Sequence, residues 1–202
     1  MILPAGGGTS RANLGGVRRL VLIPAILALG LLALVGFGLM DVRGSRWPVK
    51  TLRDRDRGLV RFDPVDATIA ELGRLPRPAE SALKGRSRVP PEETTVYRVQ
   101  GRLRYTLRGL DQDIHLIVED LEDPRRVMIA EIPLPLFALG SGFGDAFRAE
   151  RVEVRRHRGG RREIVEVTGV GFFDTHLRRL EGRSTNGFEL HPALSLRFLA
   201  DR

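Results

Sequence analysis

A segment just before the middle of the chain alternates between apolar and polar side chains, and it constrains the fold more than any other feature. In "VYRVQGRLRYTL" one parity carries Tyr97, Val99, Leu103, Tyr105 and Leu107. The opposite parity carries Arg98, Gln100, Arg102, Arg104 and Thr106. Because successive side chains of a β-strand point to opposite faces, this segment predicts a long strand with one buried face. A glycine in its middle, Gly101, predicts a bend in that strand.

Four later segments also have the period of a strand. "DIHLIVED" predicts a second strand with Ile114, Leu116 and Val118 inside and with Asp113, His115, Ile117 and Glu119 outside. "RRVMIAEIP", "REIVEVTGVGFF" and "FELHPALSLRFL" predict the third, fourth and fifth strands. Between the third and the fourth, the spacing of Phe143, Phe147 and Val154 favours a helix.

The order of these elements indicates the fold class. Three strands, a helix and two further strands follow one another in the OB-fold, a five-stranded Greek-key barrel. Closing a barrel also removes the edge strands that an open sheet would expose. The sequence therefore predicts a mainly β (α+β) domain, an OB-fold-like barrel with one helix between its third and fourth strands. The alternative is a small open β-sheet covered by one helix.

A long apolar stretch near the N-terminus predicts the location of the protein. Leu20 to Met40 contains 21 residues without a charge, and Arg18 and Arg19 precede it. A helix of that length crosses a hydrocarbon core of about 30 Å. The best cleavage site for a signal peptidase is poor, so an uncleaved membrane helix is favoured over a cleaved signal peptide. We expect a bacterial envelope protein with its C-terminal domain outside the cytoplasm, or a periplasmic protein if the segment is cleaved.

These signals divide the chain into four parts. They are a disordered basic N-terminus (1–19), a membrane-spanning or signal helix (20–40), an extension with a Pro-rich linker (41–94) and the OB-like barrel (95–202). Within the extension, "DATIAELGRL" predicts a short helix that is capped by Asp66 and buries Ile69 and Leu72.

The charge balance and the absence of cysteine limit the functions to be considered. The net charge is +8, and nearly all of the basic residues are arginine. The wet face of the first strand carries Arg102, and the loop between the fourth and fifth strands carries Arg178, Arg179 and Arg183. OB-folds bind ligands through such loops, so these arginines predict a site for an anionic ligand. Nucleic acid is disfavoured because the surface lacks aromatic side chains for base stacking. Without cysteine, the chain has no disulfide, thiolate nucleophile or cysteine-bound zinc.

Carboxylates and histidines form a candidate cluster in the predicted barrel. Its residues are Asp111, Asp113, His115, Glu131, Glu189 and His191, of which Asp113, His115, Glu189 and His191 lie on predicted outer faces. Imidazole and carboxylate ligands together suit a divalent ion such as zinc or manganese, so Asp113, His115, Glu189 and His191 predict a metal site. The favoured interpretation is that these polar groups satisfy one another and that the protein has no cofactor, and the metal site is the alternative.

Several segments together resemble an uncharacterised family of exported bacterial proteins. They are "WPVKTLRDRD", "DQDIHLIVED", "MIAEIPLP", "VTGVGFFD" and "NGFELHPAL", between Trp47 and the C-terminus. This resemblance implies export and a small β-rich domain, and it implies no activity.

A second resemblance, to staphylococcal-nuclease-like proteins, covers "DQDIH" and "RRVMIAEIPLP". It implies that Asp111, Asp113 and Glu131 hold a cation and that Arg126 contacts phosphate. Gln112 stands where that family has glycine.

Three functions remain open from the sequence. The first is a non-enzymatic envelope protein whose barrel binds an anionic ligand or a protein partner through its arginine-bearing loop. The second is a metal-dependent hydrolase, such as a phosphodiesterase, that uses the carboxylate–histidine cluster. The third is a structural scaffold.

Overall fold

The computed structural model describes residues 46–109, 111–157, 162–175 and 184–200. This part of the chain belongs to one compact unit, Asp41–Arg202. The predicted membrane segment, residues 20–40, lies outside the described residues. Within residues 46–200, as far as they are described, no helix combines the length and the apolar character that crossing a membrane requires.

Six strands, four short α-helices and three 3₁₀ helices make up the described chain. The strands are β1 (Arg61–Asp66), β2 (Thr95–Arg108), β3 (Ile114–Glu119), β4 (Val127–Ile132), β5 (Ile164–Phe173) and β6 (Phe188–Leu199). The α-helices are α1 (Trp47–Lys50), α2 (Ile69–Leu72), α3 (Glu80–Leu83) and α4 (Gly144–Arg156). The 3₁₀ helices are η1 (Arg55–Leu59), η2 (Glu92–Thr94) and η3 (Pro135–Ala138).

Strands β2 to β6 form the predicted barrel. They pair in the order β2-β3-β4-β6-β5, and β5 pairs again with β2, which closes the sheet. The β4–β6 pair is parallel and the others are antiparallel. Helix α4 follows the third barrel strand and buries Phe147 and Val154. The OB-like fold predicted from the order of the elements is therefore confirmed. Strand β1, which pairs in parallel with β2, is an additional strand that the sequence did not reveal.

The alternation of β2 holds only for its first half. Val99 and Leu103 are buried in the barrel core, and Tyr97 packs against it. The register against β3 then shifts between Leu103 and Tyr105. A bulge of this kind moves the following side chains to the opposite face. Leu107 consequently pairs with His115 and is 45% exposed, so the prediction that it lies inside is wrong.

Gly101 is explained by close packing of the neighbouring strand. A Cβ atom at this position would lie 2.4 Å from Val118 Cγ1 and 2.5 Å from the carbonyl oxygen of Glu119. Carbon atoms in contact are normally about 3.5–4.0 Å apart, so only glycine fits here.

The outer face of the barrel is covered where β3, β4 and β6 meet. Ile117, Ile129, Glu131 and His191 point away from the barrel core and are nevertheless buried. Segments outside the barrel lie over this face, and Trp47 of α1 contacts Phe137 of η3 with ring centroids 5.8 Å apart. The strand period assigned Ile117 and His191 to the outer face correctly. That face is not solvated as the alternation predicted, because covering segments bury Asp113, Glu189 and His191 and leave the side chain of His115 only 13% exposed.

The described part of the extension, residues 46–94, contributes side chains to the barrel core. Ile69, Leu72 and Leu83 belong to the same core cluster as the barrel interior. Helix α2 begins after Thr68, whose hydroxyl accepts a hydrogen bond from the backbone amide of Glu71 in a capping box. Asp66 is the last residue of β1, so the prediction that it caps this helix is wrong.

Candidate metal-binding site

The strand pairing brings the predicted carboxylates and histidines together. His115 of β3 is the register partner of Glu131 of β4. Ala130 of β4 is the partner of Leu190 of β6, so the side chains of Glu189 and His191 flank the strand that carries Glu131. All of them lie on the outer face, because the side chains that alternate with them enter the core.

His191 lies at the centre of this cluster. Its Nδ1 atom is 3.0 Å from Glu131 Oε2 and 3.3 Å from Glu189 Oε1. Its Nε2 atom is 3.5 Å from Asp113 Oδ2. The imidazole ring is also held by the edge of Phe172, with ring centroids 5.8 Å apart. One imidazole therefore faces three carboxylates.

The cluster is buried and several of its polar atoms lack partners. Asp113, Glu131, Glu189 and His191 are almost completely inaccessible to solvent. Among the described residues, Glu189 Oε2 makes no hydrogen bond, and Asp113 Oδ2 and His191 Nε2 face only each other across 3.5 Å, which is longer than a normal hydrogen bond. A buried polar atom without a partner costs about 1–3 kcal/mol. Several such atoms in one place indicate a ligand that completes them.

Two side chains form the partly open rim of the cluster. Lys50 Nζ lies 3.9 Å from Glu189 Oε1, and the Lys50 side chain is 17% exposed. His115 Nδ1 lies 3.6 Å from Glu131 Oε1, and its side chain is 13% exposed. An ion or a substrate would therefore reach the cluster past Lys50 or His115.

The protonation of the cluster follows from burial and mutual charge. Burial raises the pKa of Asp113, and burial together with the charge of Glu131 raises the pKa of Glu189. Burial alone would lower the pKa of His191, but Glu131 and Asp113 hold it well above its usual range. Burial would likewise raise the pKa of Glu131, yet His191 and Lys50 hold it below its usual range.

Three of these side chains are placed to bind one metal ion. One ligand atom each from Asp113, Glu131 and His191 all lie within 4.8 Å of one another. Two atoms bound to the same zinc ion at about 2.1 Å are separated by roughly 3–4 Å, so only small side-chain movements are needed. Glu189, with its unpartnered Oε2, is a fourth ligand within reach of His191. Two or three carboxylates with one imidazole suit manganese or zinc.

The nuclease-like arrangement is only half present. Asp113 and Glu131 meet in the cluster, while Asp111 Oδ1 accepts the backbone amide of Asp113 in a turn. Arg126 lies before β4, five residues from Glu131, which is about 17 Å along a strand. Its guanidinium pairs with Asp123, 3.4 Å away. Nothing described places Arg126 at the cluster.

The predicted anion site lies only partly within the described residues. Arg102 donates a hydrogen bond to the carbonyl oxygen of Arg162 across 2.8 Å, which ties β2 to the residues before β5. Arg178, Arg179 and Arg183 lie outside the described residues. Anion binding by this loop therefore stays a prediction.

Lys50 is the residue of the site that the sequence reasoning missed. It lies in the extension, 63 positions before Asp113, and its segment resembled a family without indicating a role. One signal was present: Lys50 and Lys84 are the only lysines among 33 basic residues. A lysine retained in an arginine-rich chain is a reason to examine its surroundings.

Comparison with known proteins does not identify a family for this chain. No protein-family model matches the chain, and no curated protein is similar to it in sequence. Among solved structures, asparaginyl-tRNA synthetase from Entamoeba histolytica shares 9% identity at a TM-score of 0.40, over 70% of this chain and 25% of that chain. The same enzyme in complex with asparaginyl-adenylate shares 10% identity at a TM-score of 0.36, over 69% and 24%. The chain thus spans about a quarter of these proteins, and likenesses this weak carry no argument about its function.

Proposed function

We propose that the OB-like barrel binds one divalent metal ion, of the manganese or zinc class, through Asp113, Glu131 and His191. The observation that carries this proposal is that Asp113, Glu131 and His191 are buried and each offers a ligand atom within 4.8 Å of the others, while Asp113 Oδ2, His191 Nε2 and the neighbouring Glu189 Oε2 make no hydrogen bond among the described residues. A self-sufficient polar network would leave no such atoms, because each one costs free energy. Glu189 completes the ligand set or accepts a hydrogen bond from a metal-bound water.

The proposal includes the location predicted from the sequence. The apolar segment 20–40 would anchor the protein in the bacterial envelope, with the barrel outside the cytoplasm. The arginine-bearing loop would then be a separate surface for an anionic ligand or an envelope protein. Salt-sensitive anion binding that disappears when Arg178, Arg179 and Arg183 are reversed in charge would support that second surface.

A hydrolase is the second candidate function, and His115 is the observation that favours it. Its Nε2 atom has no hydrogen-bond partner among the described residues, and its ring is at the partly open rim beside Glu131. A bound metal would polarise a phosphoryl group and lower the pKa of a coordinated water. His115 would then be placed to transfer a proton at that rim.

Metal titration of the full chain tests the first proposal. We expect stoichiometric binding of Mn²⁺ or Zn²⁺ to the metal-free protein by isothermal titration calorimetry. Glu131→Gln and His191→Ala should each weaken binding by at least about tenfold, the usual loss for a disturbed metal site.

Matched controls are available on helix α4. Asp145 is fully exposed there and pairs only with Arg148 among the described residues, and His157 ends the same helix. Asp145→Asn and His157→Ala should bind metal as the unmodified chain does. Absence of binding, or equal binding by His191→Ala and His157→Ala, would sink the proposal.

A further inference from the structure

Lys50 carries a positive charge next to the cluster that we propose as the metal-binding site. Its ammonium group is near Glu189 and lies over the Phe172 ring, with Nζ 5.3 Å from the ring centroid. Burial alone would lower the pKa of Lys50, but the charges of Glu131, Glu189, Asp174 and Asp113 hold it above its usual range. Lys50 thus already supplies part of the positive charge that a metal ion would supply.

We infer that Lys50 competes with the metal ion for the carboxylates of the cluster and thereby sets the metal affinity of the site. This inference rests on the proposed metal site. It goes further by identifying a residue outside the ligand set, on the extension, that decides how tightly the ion is held.

The backbone that carries Lys50 is fixed, so only its side chain is free to leave. Trp47 of the same helix packs against Phe137. Arg88, itself buried and paired with Asp54, donates a hydrogen bond to the carbonyl oxygen of Val49 across 3.1 Å. The lysine stem has four rotatable carbons and its side chain is partly exposed, so its ammonium group can turn into solvent without disturbing α1.

Charge balance makes the two cations mutually exclusive near the carboxylates. With Lys50 in place, its ammonium group pairs with Glu189, which also faces the proposed ligand His191. A divalent ion bound to Asp113, Glu131 and His191 would bring two further positive charges into the same cluster. The ammonium group, 3.9 Å from Glu189 Oε1, and the ion would then share one buried cluster, where repulsion between charges is strong. Lys50 therefore has to swing outward when metal enters.

The first test compares metal affinities of three lysine variants of the full chain. Lys50→Met keeps an unbranched aliphatic side chain at this position and removes the charge, so it should bind Mn²⁺ or Zn²⁺ at least about tenfold more tightly. Lys50→Arg keeps the charge and should bind no more tightly than the unmodified chain. Lys84→Met is the matched control, because Lys84 is exposed at the end of α3, and it should leave the affinity unchanged.

The second test measures whether Lys50 leaves. With only two lysines in the chain, acetylation by an amine-reactive ester can be followed at each by mass spectrometry. Lys84 should react quickly at all times. Lys50 should react slowly without metal and several times faster with saturating metal, because its amine becomes exposed.

The outcomes separate this inference from the proposed metal site. Equal affinities of Lys50→Met and the unmodified chain, with metal bound by both, would overturn the role of Lys50 and leave the site intact. Binding only by Lys50→Met would support the competition but overturn metal binding by the unmodified chain, because Lys50 would then fill the site. No binding by either would overturn both. Unchanged circular dichroism of Lys50→Met, with Lys50→Gln as a second variant, guards against a folding defect.

Discussion

Replacing Glu93 by glutamine should loosen the extension from the barrel at a cost that the structure defines. The Glu93 carboxylate is fully buried and accepts hydrogen bonds from the guanidinium of Arg46, from the amide of Val89 (2.8 Å) and from the amide of Phe173 (2.9 Å). Arg46 is also buried. Glu93 therefore joins the first residues of the extension to the last residue of β5.

The expected loss follows from what glutamine cannot do. Its amide nitrogen cannot accept a hydrogen bond, so one backbone amide loses its partner and Arg46 loses its counter-charge. Removing one partner of a buried ion pair costs about 3–5 kcal/mol. For a urea dependence near 2 kcal/mol per molar, a loss of about 4 kcal/mol lowers the midpoint of unfolding by roughly 2 M.

Urea unfolding of residues 41–202, followed by circular dichroism, measures this loss. Glu80→Gln is the matched control, because Glu80 also pairs with an arginine, Arg77 at 2.8 Å, but is 55% exposed. An exposed pair contributes only about 0–1 kcal/mol, so the control should barely move the midpoint. If Glu93→Gln shifts the midpoint no more than Glu80→Gln, the reasoning about the buried pair is refuted.

Three further predictions concern the core and the site. Gly101→Ala should cost about 1–3 kcal/mol in urea unfolding, since its Cβ atom would overlap Val118 and the Glu119 carbonyl; an unchanged midpoint would contradict the close approach. Phe147→Ala should cost about 3–5 kcal/mol and leave metal affinity unchanged, because the ring fills the core and not the site; altered affinity in calorimetry would contradict this. The metal-free protein should lose stability as pH rises above about 6.5, because the folded chain then retains a proton on His191 that the unfolded chain has released. The raised pKa of Glu189 should also lower the stability of the folded chain as pH rises, from about pH 4 upward. Saturating metal should remove this pH-dependent loss of stability. A urea midpoint that rises with pH in EDTA would refute the raised pKa values of His191 and Glu189.

The sequence predicted the barrel because its strands carry the signal in their own residues. Val99 and Leu103 enter the core as their parity requires, and the helix predicted around Phe147 lies between the third and fourth barrel strands. The change of face after the bulge between Leu103 and Tyr105 was not predictable. A bulge depends on how two strands pair, and the sequence of one strand alone does not show it. Strand β1 was missed for a related reason: its six residues, with Pro64 among them, are all exposed and show no alternation.

The site was predicted in part. The outer-face parity of Asp113, His115, Glu189 and His191 was sufficient to group them, and the register of β3, β4 and β6 brings them together. Their burial was not predictable from that parity, because it arises from segments that lie elsewhere in the chain. Lys50 could not be assigned to the site for the same reason, since its nearness to Glu189 is a tertiary contact between a four-residue helix and a distant strand.

The covering of the outer face has a practical consequence for shortening this protein. A truncated version beginning at Thr95 would retain all five barrel strands but lose Trp47, Val49 and Leu52, together with both members of the buried Arg46–Glu93 pair. The aliphatic side chains of Ile117 and Ile129 would then border unshielded acidic groups on one open wall. Such a surface promotes aggregation. Soluble expression therefore requires a start point upstream of Arg46.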